Sequence, residues 1–133
     1  MSVYATMKQA IDARDAELWA TLYHDDFTFV RHQSGTSMNK AEMIDMGKMM
    51  MANDAVQFHN SRCVYENDDI IVEHSVMDFP DGSREAIMSV HMLENGKIIR
   101  SETGATAEQI DLFDKVADKS AATLKYLFTI PRN

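Results

Sequence analysis

The residues of this sequence whose types and spacing best suit acid–base chemistry on a small molecule are Arg31, Arg62 and Glu73. An arginine guanidinium group binds a carboxylate through two parallel hydrogen bonds. A carboxylate buried beside guanidinium groups can act as a general base, with its pKa set by burial and by the neighbouring charges. If Arg31 points inward, the three side chains would form one catalytic site. The alternative is that Arg62 and Glu73 form a structural cross-strand pair, satisfied internally.

Structural roles explain the other reactive side chains better. Residues 24–26 (His-Asp-Asp) follow a predicted helix end, where capping and solvation are favoured over a metal site. His59, His74 and His91 are predicted on the outer face of a sheet, but the predicted register staggers them and so disfavours zinc. Cys63 has no evident activating base. Because a glycine-rich phosphate loop and a GxSxG elbow are also absent from the sequence, we expect no metal and no cofactor.

The first third of the chain is predicted to be helical before it enters a sheet. Apolar residues follow a helical stripe, and residues 13–16 predict a break between two short helices. A strand is predicted over 27–32, followed by a methionine-rich helix near 40–52. Either Ser37 or Asn39 could cap this helix, and Asn39 has Glu42 three residues on, as a capping box requires. The clustered methionines are predicted either to pack this helix against the core or to form a pliable lid.

From residue 56 onward the pattern changes to alternation with turn signals, which predicts an antiparallel meander. Strands are expected near 56–66, 69–79, 84–94 and 97–106, joined by turns at 67–68, 80–83 and 95–96. The last turn is predicted to place Val90 opposite Ser101. The middle turn, taken as a four-residue loop, would place Glu73 opposite Val90. The first turn would place Arg62 opposite Glu73.

One face of this sheet is predicted to hold a polar band within apolar surroundings, which is typical of a ligand site. The predicted ligand-binding residues are Trp19, Tyr23, Phe29, Phe58, Asn60, Ser75, Met88, Val90, Ser101 and Thr103. Of these, Trp19 and Tyr23 lie four residues apart on one predicted helical face. The other face of the sheet, including Ile87 and His91, is too apolar to be wholly exposed. We therefore expect a homodimer that forms sheet to sheet.

Composition limits the class of protein. A chain of 133 residues has the commonest size of a single domain, and we expect one domain over 1–133 with a helical extension over 107–130. The net charge of −8 disfavours a nucleic-acid partner. No apolar run approaches the roughly 20 residues that cross a bilayer. The N-terminus lacks a signal-peptide pattern, and one cysteine permits no internal disulfide, so a cytoplasmic location without membrane contact is expected.

The order of predicted elements and two local segments resemble the nuclear transport factor 2-like, or SnoaL-like, superfamily. Residues 22–27 (Leu-Tyr-His-Asp-Asp-Phe) look like the segment by which these proteins enter their first strand, and residues 84–104 look like their last hairpin. The resemblance covers about residues 3–106. It implies an α+β cone, or cystatin-like, fold in which N-terminal helices pack on the concave face of a strongly curved antiparallel sheet. The superfamily contains isomerases, dehydratases, epoxide hydrolases, polyketide cyclases and non-catalytic binding modules.

The catalytic patterns of familiar members do not transfer to this sequence. Arg31 stands where the resemblance to ketosteroid isomerases would place a general-base aspartate, and Val90 stands near their protonated aspartate. His74, Val76 and Thr103 occupy the positions of the Asp-Arg-Asp set of limonene epoxide hydrolases.

Two functions therefore remain: a small-molecule-binding protein with an internal pocket, or a cofactor-independent isomerase, cyclase or dehydratase for an anionic or carbonyl-containing substrate. A third alternative is that side chains fill the polar band and the protein acts through its dimer or tail surfaces.

Overall fold

The structure, a computed structural model, describes residues 1–108, which form three helices and six strands. The helices are α1 (Val3–Asp12), α2 (Ala16–Ala20) and α3 (Lys40–Met51). The strands are β1 (Tyr23–Arg31), β2 (Thr36–Asn39), β3 (Gln57–Glu66), β4 (Ile70–Asp78), β5 (Arg84–Glu94) and β6 (Lys97–Ala107). Of the predicted helical extension over 107–130, residue 107 ends β6 and residue 108 follows it outside any helix; the rest lies outside the described residues.

The six strands form one curved, unclosed sheet in the order β2-β1-β6-β5-β4-β3. Neighbouring strands are antiparallel, except that β1 and β6 are parallel. The predicted α+β class, with N-terminal helices beside a curved sheet, is confirmed; β2 and the parallel pair were not predicted. Tyr23 belongs to β1 and not to a helix shared with Trp19. The two rings nevertheless meet edge to face, with 5.1 Å between their centroids.

Side-chain caps determine where α2 and α3 begin. Asp15 accepts a hydrogen bond from the backbone N–H of Leu18. Asn39 and Glu42 form the predicted capping box, each side chain accepting from the other residue's backbone N–H. These contacts satisfy donors that have no partner inside a helix. Local sequence therefore places both helix starts.

Arg14 connects the break between α1 and α2 to the end of α3. Its backbone adopts a left-handed φ of 54°. Its guanidinium group donates hydrogen bonds to the carbonyl oxygens of Met51, Asn53 and Val56. Carbonyls at a helix C-terminus lack intrahelical donors, so one side chain both ends α3 and fixes the chain as it enters β3.

The helices pack on the sheet through a buried apolar cluster: Met7, Ala10, Trp19, Leu22, Tyr23, Phe27, Met43 and Ile98. The tightest approach is between α3 and α2. A Cβ atom added at Gly47 would stand 2.3 Å from the Cη2 atom of Trp19, so only glycine lets α3 lie this close to the indole ring.

The pairing of β5 with β4 differs from the predicted register by one residue. The intervening loop has five residues and not four, since Asp78 pairs with Arg84. Glu73 consequently lies opposite Ser89 and not opposite Val90. Because side chains alternate along a strand, this slip turns the whole of β5 over.

The pairing of β5 with β6 is displaced by a matching amount. A register shift leaves Ile99 as an extra residue in β6, so His91 and not Val90 lies opposite Ser101. The inward faces of β4 and of β6 from Ser101 onward therefore stay as predicted, while β5 is reversed. Before the extra residue, Ile98, predicted on the outer face, is buried in the apolar cluster. Met88 and Val90, predicted to line the pocket, lie on the outer face.

The pairing of β3 with β4 is also irregular, and it moves Arg62 out of the predicted site. Arg62 lies opposite His74 on the outer face, with 3.2 Å between its Nη1 atom and the Nδ1 atom of His74. The predicted pairing of Arg62 with Glu73 is wrong. Asn60 lies in a bulge with a φ of 53° and is exposed, so it does not join the polar band.

The outer face of the sheet differs from the predicted one through the same reversal of β5. Ile87 and His91, predicted there, face inward. Met88 and Met92 take their places, with 44% and 37% of their surfaces exposed. The sheet-to-sheet homodimer remains a prediction. None of the helices in residues 1–108 is long and apolar enough to cross a membrane.

Replacing Gly47 by alanine tests the contact between α3 and Trp19. We expect Gly47→Ala to lower the free energy of unfolding by about 1–3 kcal/mol, because the new methyl group overpacks the indole ring. Alanine otherwise stabilises a helix by about 1 kcal/mol relative to glycine, so the sign of the change is diagnostic. Urea unfolding would measure it, with Gly104→Ala as the control, since nothing lies within 4 Å of a Cβ there. A more stable Gly47→Ala variant would contradict this account of the packing.

The carboxylate of Asp78 gives the β4–β5 hairpin a defined pH dependence. Hydrogen bonds from Arg84, with His59 contributing, lower the pKa of Asp78 from 3.8 to about 2. Stability from this group is therefore complete above 3.8 and is lost as the pH falls through about 2. We expect Asp78→Asn to lower the free energy of unfolding at pH 7 by about 1 kcal/mol, and the difference from wild type to vanish near pH 2. Urea titrations of both proteins at pH 7 and pH 2 would measure this difference in the free energy of unfolding. A difference at pH 2 as large as that at pH 7 would refute the account.

Candidate functional site

A cavity of about 190 Å³ lies between the helices and the inner face of the sheet. Of the thirteen predicted site residues, these line it: Trp19, Tyr23, Phe29, Arg31, Phe58, Glu73, Ser75, Ser101 and Thr103. The structure does not bring Asn60, Arg62, Met88 or Val90 to the cavity, because of the strand registers described above. The functional roles of the residues that do line it remain predictions.

The wall opposite the sheet is apolar and rich in methionine. Its methionines come from α1 and α3, and Met38 of the edge strand β2 adjoins them: Met7, Met43, Met46, Met50 and Met51. Methionine has three rotatable bonds and a polarisable sulfur, so it packs against differently shaped ligands and makes favourable contacts with aromatic rings. This wall can therefore adapt to an apolar surface.

The floor of the cavity carries a row of polar side chains across four strands. The strand pairing sets Arg31, Thr103, Ser89 and Glu73 side by side on β1, β6, β5 and β4. The hydroxyls of Thr103 and Ser89, and that of Ser75 next to the row, make no side-chain hydrogen bond within residues 1–108. They are available to hydrogen-bond a polar group in the cavity.

Ser101 and His91 lie in the next row, and His91 reaches back to Glu73 of the first row, so that the three side chains form a hydrogen-bonded chain. The Nδ1 atom of His91 is 2.6 Å from the Oγ atom of Ser101, and its Nε2 atom is 3.0 Å from the Oε1 atom of Glu73. The side chains of His91 and Glu73 are only 8% and 16% exposed. Both imidazole nitrogens are thus engaged by protein groups, which holds the ring in a fixed orientation.

Hydrogen-bonding capacity determines how this chain works. An ionised Glu73 can only accept, so the Nε2 atom of His91 carries a proton and donates it. In the neutral ring Nδ1 then accepts from the hydroxyl of Ser101, and in the charged ring the same hydroxyl accepts instead. The other carboxylate oxygen of Glu73 has no hydrogen-bond partner within residues 1–108. That oxygen is the group of the chain that is free to contact a ligand.

Arg31 reaches the cavity but is already paired. Its Nη2 atom donates to the Oε1 atoms of Glu85 and Gln33, both at 3.1 Å. Glu85 is a buried carboxylate of β5, with its side chain 10% exposed. Among residues 1–108, the Asp, Glu, Lys and Arg side chains that line the cavity are Glu73, Glu85 and Arg31, so the carboxylates outnumber the guanidinium group.

Tyr23 adds a neutral phenol to this lining. Burial, and then the charge of Glu73, raise the pKa of Tyr23 well above its usual value of 10. Its ring is held between Trp19 and Phe27, with centroids 5.1 and 4.8 Å away. The hydroxyl therefore keeps its proton throughout the physiological pH range.

Ser89, His91 and Glu85 are the polar and charged lining residues of the described chain that sequence reasoning missed, and all three lie on β5. Apolar alternation favoured the opposite face of this strand, because Met88 and Val90 look more like core residues. One sequence signal did indicate the true register: Asp78 and Arg84 are opposite charges that pair favourably across a hairpin. Within the described part of the chain, no three His, Cys, Asp or Glu side chains are arranged to hold a metal ion.

Solved structures with the same fold are numerous but distant in sequence. An NTF-2 like protein of unknown function from Burkholderia xenovorans LB400 is 17% identical, with a TM-score of 0.66 over 80% of this chain and 81% of its own. A candidate ketosteroid isomerase from Kribbella flavida DSM 17836 is 12% identical, with a TM-score of 0.65 over 78% and 75%. IdmH of Streptomyces antibioticus, a candidate polyketide cyclase, is 12% identical, with a TM-score of 0.64 over 86% and 96%.

Family membership rests on the sequence itself. Comparison with curated proteins gives no significant match. The family model of the SnoaL-like domain, however, matches residues 4–101, which is most of the chain. The structural likenesses independently support the same fold. The chain belongs to the SnoaL-like family within the nuclear transport factor 2-like superfamily.

Proposed function

We propose that this protein binds a small, mainly apolar molecule in the cavity and transfers a proton to or from it through Glu73. The observation that carries the proposal is the buried hydrogen-bonded chain of Ser101, His91 and Glu73. A carboxylate with one oxygen held by a positioned imidazole and the other oxygen free is suited to general acid–base catalysis. The reaction class is isomerisation, cyclisation or elimination.

Each member of the chain has a separate role in this proposal. Glu73 exchanges the proton with the ligand through its free oxygen. His91 is a positioning residue, because both of its nitrogens are bound by protein groups. Ser101, whose surface is 1% exposed, keeps a hydrogen bond to His91 in either protonation state of the ring. Proton transfer at Glu73 therefore need not break the chain.

The charges around the cavity favour a neutral ligand with a carbonyl or hydroxyl group over an anion. Arg31 is paired with Glu85, and Arg62 lies on the outer face, so the two-arginine clamp expected from the sequence does not form. An anion would also face the carboxylates of Glu73 and Glu85. The free hydroxyls of the floor are suited to a neutral oxygen atom.

The cavity volume limits the size of the ligand. An apolar cavity of about 150 Å³ holds one benzene ring. A volume of about 190 Å³ therefore suits a one-ring compound with small substituents unless the methionine wall moves.

Binding without turnover is the second candidate function. It is favoured by the methionine-rich wall, which suits adaptable binding, and by the protein hydrogen bonds that occupy both nitrogens of His91. The neighbours described as a candidate isomerase and a candidate cyclase support small-molecule function in general and do not separate these two possibilities.

Glu73→Gln separates turnover from binding. The glutamine carbonyl can still accept the hydrogen bond of His91 but cannot take a proton, so we expect turnover to fall about 10²-fold or more with little change in ligand affinity. A thermal-shift screen would supply the compound, and mass spectrometry would follow its conversion. Glu94→Gln, which alters an exposed carboxylate, is the control. Unchanged turnover in Glu73→Gln would exclude this mechanism, and no turnover in wild type would favour the binding function.

A matched set of one-ring compounds tests the predicted ligand charge. We expect cyclohexanone and cyclohexanol to raise the melting temperature, and cyclohexanecarboxylate to bind at least about tenfold more weakly because the cavity is acidic. Glu85→Gln should reduce the difference in affinity between the neutral compounds and the carboxylate, since it leaves Arg31 free to bind a carboxylate. Calorimetric titration of each compound would measure the difference. If wild type bound the carboxylate more tightly than the neutral compounds, the proposed preference for a neutral ligand would be wrong.

A further inference from the structure

A second, smaller cavity of about 30 Å³ lies behind Glu73, between α1 and the β3–β4 pair. Glu73 and Ser75 border both cavities. The other polar residues at the small cavity are Tyr4, Lys8, Asp12 and Ser61. The carboxylate of Glu73 thus stands between a large apolar cavity and a small polar one.

Tyr4 provides the first sign that something occupies the small cavity. Its hydroxyl oxygen is buried and has no hydrogen-bond partner within residues 1–108. A buried hydroxyl left unpaired costs free energy, and native proteins commonly satisfy such groups with ordered water. Burial, and then the charge of Glu73, raise the pKa of Tyr4, so its hydroxyl stays protonated and can donate.

The bulge in β3 adds a further polar residue to the lining of the small cavity. The register of β3 shifts between His59 and Arg62, and Asn60 there adopts the left-handed φ of 53° that non-glycine residues rarely take. A bulge re-aims the side chains next to it. In this protein it coincides with Ser61, which lines the small cavity.

The size of the small cavity matches water. A single water needs roughly 10–15 Å³ of such space and two to four polar partners. The cavity offers about 30 Å³, and Tyr4, Ser61, Ser75 and Glu73 can supply those partners.

We propose that the small cavity is a water site in which one or two water molecules accept a hydrogen bond from the hydroxyl of Tyr4 and donate one to the carboxylate of Glu73. Lys8 and Asp12 form an exposed ion pair, 3.0 Å apart, at the solvent side of this site. Resting on the proposed function, the site gives Glu73 a route for exchanging protons with solvent. A proton taken from the ligand passes to the water and then outward, which regenerates the carboxylate. A proton from solvent returns by the same route through Glu73 to the ligand or its leaving group, so the reaction has no net gain or loss of protons.

Counting the long-lived internal waters of the whole chain tests the proposal. Water ¹⁷O magnetic relaxation dispersion detects waters buried for longer than the tumbling time of the protein. We expect Tyr4→Phe to lose at least one such water relative to wild type, because the donor that holds it is removed. The melting temperature of Tyr4→Phe should also fall, because a hydrogen bond is lost. If no water bound the hydroxyl of Tyr4, its removal would instead raise the melting temperature, since a buried unpaired group would be eliminated.

Tyr65→Phe is the matched control, since Tyr65 is 56% exposed and lies away from both cavities. It should change neither the water count nor the melting temperature. An unchanged water count in Tyr4→Phe would overturn the proposal. A lower melting temperature with an unchanged water count would also overturn it, because it would indicate that Tyr4 donates directly to Glu73. Neither measurement requires turnover, so failure of the water site and failure of the proposed catalysis would be distinguished.

Discussion

The pairing register of β5 is the constraint on which the cavity depends. Because side chains alternate in a strand, each register places either Ser89 and His91 or Met88 and Val90 on the floor. The five-residue loop before β5 and the extra residue in β6 both select the first set. With only the five-residue loop or only the extra residue, His91 would lose its alignment with either Ser101 or Glu73. The loop and the bulge thus act together to assemble the buried chain with Glu73 and Ser101.

The cost of burying that polar chain is limited by how completely it is hydrogen-bonded. The imidazole uses both nitrogens, and Glu85 is paired with Arg31. A buried ionic pair contributes little net stability, so stabilisation must come mainly from the apolar layer of methionine and aromatic side chains above it. Gly47 allows α3 to bring that layer down onto Trp19. The fold therefore combines a tightly packed helical layer with a floor specialised for polar contacts.

Superfamily membership accounts for the fold and leaves the chemistry to the site. The patterns of familiar relatives are absent at Arg31 and Val90, and the structure replaces them with groups supplied by β5. The acidic lining changes the ligand expected from the sequence, since Arg31 is paired within the protein. Under the proposed function, the same floor would suit either a proton-transfer enzyme or a binding protein, and the free oxygen of Glu73 is the feature that favours the enzyme.

The sequence by itself determined the local features: the helix break at 13–16, the capping box of Asn39, the four-strand meander with its turn at 95–96, and the inward position of Glu73 and Ser101. These depend on neighbouring residues, whose backbone preferences and hydrogen bonds are encoded locally. Tertiary structure alone decided the parallel pairing of β1 with β6 and the positions of the bulges. It also decided that Arg62 lies on the outer face and that His91 lines the cavity. The physical reason is that apolar alternation assumes an apolar interior, whereas this interior holds a polar floor. A single-residue shift then reverses a strand, and only pairing with both neighbours fixes its direction.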